Sequence, residues 1–198
     1  MEELNVDLFL MINAPEQPDA VLLAIAKTLA DYVIWLVPLV LVAGWLRGGE
    51  SVRKLMLEAT ISGVAGLLIN QAIGLAWQHP RPFMMGLGHT FISHVADSSF
   101  PSDHLTLLWA VSFSFLMHRI PRSTGAGLAL LGLPVAWARI YLGVHFPLDI
   151  LGAAIIAGLC ARLCFRESHR FMAPIFRCAT AIYRRLFAPL IRRGWAPK

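Results

Sequence analysis

Long apolar runs separated by short polar breaks dominate this sequence. Five stand out: about Val21 to Leu46, Leu55 to Trp77, Ser102 to Met117, Gly125 to Ala138, and Leu148 to Phe165. A helix needs about 20 apolar residues to cross the roughly 30 Å of bilayer hydrocarbon. Each run is therefore read as a membrane span, the short fourth one lengthened at the interface by Arg139 and Tyr141. Between the second and third runs, residues 79–101 carry three prolines and several polar breaks. Lipid cannot satisfy irregular backbone, so this segment is expected to be a loop outside the hydrocarbon. The pattern predicts an all-α fold, a polytopic membrane helix bundle of about five transmembrane helices.

The two ends differ from the runs. "MEELNVDLFLMINAPEQPD" is acidic and lacks the basic start of a signal peptide; Leu4 to Asn13 reads as a short amphipathic helix at the interface. "FMAPIFRCATAIYRRLFAPLIRRGWAPK" interleaves apolar residues with arginines. It is too basic to span and reads as an amphipathic helix on an anionic leaflet. No long-period repeat marks a second unit, so residues 1–198 are expected to form one domain, with a core at 20–166 and a basic tail at 167–198. Small residues four apart, Ala59 with Gly63 and Ala154 with Gly158, suit close helix packing.

Composition supports the membrane reading. Of 198 residues, 57% are hydrophobic and only 15% charged, with mean hydropathy +0.63, whereas a soluble domain carries about 25% charged residues. Of the 17 lysines and arginines, only Lys27, Arg81 and Arg139 lie outside "RGGESVRK" (47–54), "HRIPR" (118–122) and the segment from Arg162 onward. With five spans those three basic segments share one side, and basic loops face the cytoplasm. The net charge of +5 thus reads as a topology signal of a plasma-membrane protein and not as nucleic-acid binding. Cys160, Cys164 and Cys178 form no CxxC pair, so neither a structural disulfide nor a zinc site is implied.

Three polar clusters fall on the other face: "QHPRP" ending the second run, "SSFPSDH" opening the third, and "ARIYLGVHFPLD" between the fourth and fifth. Each is a helix-end segment, so residues distant in sequence can meet. Arg81 and Arg139 offer planar, permanently charged forks that match phosphate oxygens. Ser102 and the N–H groups opening the third span add neutral donors, and a helix N-terminus favours an anion. His104 lies in the first turn of that helix. Pro147 suits a helix start, which puts His145 at the cap and Asp149 one turn later. At i,i+4 the carboxylate can reach one ring nitrogen of His145, fixing the tautomer and leaving the other nitrogen as a nucleophile. Taken singly, His104 reads as a cap, Arg139 as a snorkelling anchor and Asp149 as a dipole partner. Taken together on one face, they describe a metal-independent phosphoryl-transfer site, since ionisable groups at membrane depth are functional by default.

These pieces resemble the type 2 phosphatidic acid phosphatase superfamily, whose signature is KxxxxxxRP, PSGH and SRxxxxxHxxxD. Here they read "GLAWQHPRP", "PSDH" and "ARIYLGVHFPLD", over residues 74–149. With "HVADSSF" before them, they look most like the bacitracin-resistance type of undecaprenyl-diphosphatase. The resemblance implies that His145 attacks phosphorus to form a phosphohistidine, that Asp149 orients it, and that His104 protonates the leaving group and later activates water. It also implies phosphate contacts from Arg81, Ser102 and Arg139, no cofactor, and a polyprenyl diphosphate substrate met at the periplasmic or outer face. The sequence leaves the signature twice. The motif lysine falls on Gly74; Lys27 could replace it, against a simpler reading in which Lys27 pairs with Asp31 at i+4. The motif glycine is Asp103, expected to pair with a basic neighbour or to contact the distal side of a diphosphate. Phosphatases or phosphotransferases of other lipid phosphates, and an anion-binding transporter, remain as alternatives; the lack of paired repeats and interrupted spans disfavours transport.

Overall fold

The computed structural model describes residues 2–118 and 122–193, which contain helices and no strands. The helices are α1 (Glu2–Ile12), α2 (Ala20–Tyr32), α3 (Leu36–Arg47), α4 (Glu50–Ala76), α5 (Asp103–Met117), α6 (Arg122–Tyr141), α7 (Pro147–Leu186) and α8 (Ala188–Arg192). A single 3₁₀ turn, Val33–Trp35, joins α2 to α3, so the first apolar run is one 28-residue rod. That rod, α4 and α7 are each long and apolar enough to cross a bilayer. The other two runs form the 15-residue α5 and the 20-residue α6, the latter with Pro134 inside it.

The reason α5 can be short is its place. It packs against α4, α6 and α7 and buries residues on every face, including Leu105, Leu108, Val111 and Phe115. A helix apolar all round and wrapped by protein belongs at the centre of a bundle. Cutting Leu108 to alanine there would cost about 2–5 kcal/mol. Ala59 is fully buried and Gly63 lies against Leu107 of α5, so that small pair lets α4 approach closely. Outward, the peripheral helices present Leu39, Leu68, Leu133 and Leu159, each more than half exposed. An apolar girdle this extensive is unsuited to water; the chain is a multi-pass membrane protein.

Both ends are more tightly held than their composition suggests. Helix α1 does not merely rest at an interface. Phe9 is fully buried, its ring edge on Phe146, and the Asn5 side chain accepts the Leu148 N–H at 3.0 Å. At the other terminus, α7 runs unbroken for 40 residues, about 60 Å, so the boundary expected at residue 166 falls in mid-helix. No glycine or proline between 159 and 173 stops it. Its far half docks on the α3–α4 turn, where Tyr183 lies 5.9 Å from the Trp45 ring and the Arg53 guanidinium 5.6 Å from it. Within the basic segments, residues 119–121 and 194–198 lie outside the described residues.

Candidate active site

The end of α6 turns sharply. Gly143 has φ +81°, and a Cβ there would clash with the His89 carbonyl; glycine meets both demands. The N–H groups of Leu142, Gly143 and Val144 bond back to Ala138, Ile140 and Arg139. The turn brings Arg139, in the last turn of α6, beside His145, just ahead of α7. Helix α7 begins at Pro147 as expected, but its cap is Phe146 and not His145: the Asp149 carboxylate accepts the Phe146 N–H at 2.7 Å. The proline at N1 sets the cap one residue later than the spacing alone suggested.

His145 is almost wholly buried, and its tautomer is determined from both sides. Its Nδ1 lies 3.0 Å from the Ser99 carbonyl and 3.3 Å from Asp149 Oδ2. A carbonyl can only accept, so Nδ1 carries the proton. Its Nε2 lies 3.3 Å from Arg81 Nη1 and 3.4 Å from Arg139 Nη2. Guanidinium groups can only donate, so Nε2 presents its lone pair. Burial, reinforced by the two guanidinium charges and opposed by Asp149, pushes the His145 imidazole down to about 4. The ring is therefore neutral at physiological pH, with a bare nitrogen aimed between two cations.

Those cations are held differently. Arg81, buried in the loop after α4, donates to Asp97 at 2.8 Å, to the Val144 carbonyl at 2.9 Å and to the Ser98 carbonyl at 3.2 Å. Arg139 is equally buried, yet among the described residues its Nε has no hydrogen-bond partner and no carboxylate lies within ion-pair distance of it. A buried charge without a counterion is costly; an anion beside His145 Nε2 would supply one. Ser102, the N-cap of α5, is fully buried with its hydroxyl unpartnered, while its N–H bonds to the Asp149 carbonyl. His104, half-buried in the first turn of α5, lies within electrostatic range of Arg139, His145 and Arg81. Arg81, Arg139 and Asp149 thus contact His145 directly, while His104 lies within electrostatic range of it and Ser102 is tied to Asp149.

Two candidates behave otherwise. Asp103 forms no ion pair among the described residues; Asn70 and Gln71 of α4 donate to its two oxygens at 2.8 and 3.3 Å. The pairing expected with a cation is replaced by amides because α4 packs along the start of α5. Lys27 forms no ion pair with Asp31, nor with any other carboxylate among the described residues, and no site group contacts it. Gly74, Arg81 and Asp103 line one wall of a cavity of about 380 Å³ beside the site, from which His145 and His104 are absent. A Cβ at position 74 would come within 3.3 Å of Ser98.

Sequence reasoning missed the contribution of the loop. Asp97 pairs with Arg81, and the Ser99 hydroxyl donates to Asp149 Oδ2. The His94 ring lies 6.3 Å from that of His145, its own basicity lowered by burial and by Arg81. All three fall within "HVADSSF", whose polar content was the available signal.

The sequence profile of the PAP2 superfamily matches residues 55–173. The chain is similar to YbjG of Escherichia coli (strain K12), 36% identical over 197 residues and 98% of each chain. It is also similar to undecaprenyl-diphosphatase BcrC of Bacillus subtilis (strain 168), 36% identical over 190 residues, covering 96% of this chain and 97% of that one. Among solved structures, that of Aquifex aeolicus LpxE superposes with a TM-score of 0.65 at 24% identity, covering 82% of this chain and 95% of the other. That likeness bears on the fold.

Proposed function

Given that the chain belongs to the PAP2 superfamily, we propose that it hydrolyses a polyprenyl diphosphate, of the undecaprenyl type named for BcrC, to the monophosphate and inorganic phosphate. The observation that carries the reading is the bare Nε2 of His145 set 3.3 and 3.4 Å from two guanidinium groups. A phosphoryl group there would meet a nucleophile on one side and charge-matched donors around its equatorial oxygens.

In this reading His145 Nε2 attacks the terminal phosphorus, and the bond to the bridging oxygen breaks. His104 gives its proton to that oxygen as the lipid monophosphate departs. Water then attacks the phosphohistidine, His104 takes its proton, and phosphate leaves with Nε2 bare again. Asp149 keeps the Nδ1 proton in place and stabilises positive charge on the ring. Arg81, Arg139 and Ser102 hold the transferring oxygens. Asp103, pinned by two amides on the cavity wall, would face the distal part of the head group.

The basic segments support a cytoplasmic location for the α3–α4 turn and the α7 tail, with the site facing the periplasm or outer surface. There the enzyme would regenerate the carrier lipid for wall polymers and remove the diphosphate that bacitracin sequesters. The test is a substrate panel with purified protein in excess chelator: polyprenyl diphosphate, polyprenyl monophosphate, phosphatidylglycerol phosphate and phosphatidic acid. The highest kcat/KM is expected for the diphosphate, with inhibition by vanadate. A preference for another lipid phosphate would overturn the substrate assignment, and activity that needs a divalent ion would overturn the mechanism. Unchanged kinetics of Asp103→Ala on diphosphate and monophosphate lipids would remove Asp103 from the site.

A further inference from the structure

We propose that Ser99 is a positioning residue for His145, one that holds the nucleophile from the loop side while Asp149 holds it from α7. The inference rests on the phosphatase reading of the same site.

Ser99 is fully buried, and each of its polar groups is engaged. Its N–H donates to the His79 carbonyl at 2.7 Å, which ties the end of the loop to its beginning. Its carbonyl accepts the His145 Nδ1–H at 3.0 Å, closer than Asp149 Oδ2 at 3.3 Å. Its hydroxyl donates to that same Oδ2. One carboxylate oxygen therefore collects three donors: the Phe146 N–H, the Ser99 hydroxyl and the His145 ring.

The physical consequence is a ring held at one edge by two acceptors from different segments. Bound to Asp149 alone, the imidazole could follow that side chain as it moved, and Nε2 would swing across the space between Arg81 and Arg139. The Ser99 hydroxyl stops this by fixing the carboxylate, and the Ser99 carbonyl stops it by taking a share of the same proton. Alignment of the attacking atom matters steeply to rate. Neither guanidinium hydrogen-bonds to Ser99 among the described residues, and its effect should therefore fall on the chemical step and not on substrate affinity.

The experiment compares purified wild type, His145→Ala, Ser99→Ala and Ser99→Thr on a polyprenyl diphosphate in detergent, with folded protein quantified for each. The expected result for Ser99→Ala is a kcat roughly tenfold lower with KM within about twofold. Vanadate inhibition should weaken by a similar factor, because the mimic needs an aligned Nε2. Nitrogen-15 imidazole spectra should show the His145 Nδ1–H signal shifted or broadened. Ser99→Thr should restore kcat wherever it folds, and where it does not, Ser99→Ala and the spectra decide. Wild-type kcat and an unmoved His145 signal in Ser99→Ala, beside an inactive His145→Ala, would overturn the role of Ser99 alone. An inactive wild type, or an active His145→Ala, would instead overturn the phosphatase reading.

Discussion

Two buried carboxylates each hold a histidine, one at either end of α5. Near its start, Asp149 lies 3.3 Å from His145; at its far end, Glu58 lies 2.9 Å from His118. By pair geometry alone the second is the better hydrogen bond. What separates them is company. The remaining nitrogen of His145 faces two guanidinium groups. His118 uses its Nε2 on Glu58, sets its ring nearly perpendicular to Phe165 with the centroids 5.1 Å apart, and hydrogen-bonds to no arginine among the described residues. A histidine–carboxylate pair is therefore not a site in itself. On the proposed mechanism the cations around the free nitrogen suit one pair to phosphoryl chemistry, while the other, with no arginine beside it among the described residues, ties α4 to α5.

The contrast breaks most readily on paired alanine variants. His145→Ala should lower kcat by about 10³-fold or more, as expected for loss of a covalent nucleophile. His118→Ala should keep kcat/KM within about threefold of wild type. Comparable losses in the two would show that the surrounding cations do not discriminate them.

A smaller effect tests the cations directly. Arg139→Lys keeps the charge but loses the planar fork, and kcat/KM should drop by about 10²-fold. A lysine variant with wild-type kinetics would mean that charge alone suffices beside Nε2.

Stability should respond in the opposite place. His118→Ala leaves Glu58, 3% exposed, without its hydrogen bond, and a loss of about 1–3 kcal/mol follows from stranding a buried polar group. Denaturation in detergent would read it, and an unchanged midpoint would show that water or another group satisfies Glu58.

The gentlest probe is titration. Burial and the two guanidinium groups disfavour the imidazolium of His145, which titrates near 4. In the ligand-free protein its Nδ1–H tautomer should persist as pH falls from 8 to about 5, below the unperturbed histidine value of about 6.5. Nitrogen-15 spectra showing a midpoint near that unperturbed value would mean that the ring is wetter than its packing indicates.

Much of this was legible in the chain. The five apolar runs all became helices, because length and hydropathy are local properties that a bilayer reads directly. The i,i+4 relation of His145 and Asp149 was likewise local, set by the helix that Pro147 begins. The cap falls one residue later than the spacing predicts, because Pro147 takes N1 and the Asp149 carboxylate accepts the Phe146 N–H. The ion pairs read for Lys27 with Asp31 and for Asp103 with a basic neighbour do not form among the described residues, for a different reason. Whether a side chain meets a neighbour one turn away or an amide on another helix depends on how α4 lies along α5, which no periodicity encodes.

By itself, then, the sequence determined the helices, the membrane setting and the residue types able to hold phosphate, since each follows from hydropathy, helix geometry or side-chain chemistry. Tertiary structure alone decided that Ser99 meets both His145 and Asp149, that Arg139 Nε stays without a hydrogen-bond partner among the described residues, and that α7 runs on to dock against Trp45. Those contacts join segments tens of residues apart. Burial and directional hydrogen bonding select them only once the bundle has closed, because in water or lipid the same groups have other partners.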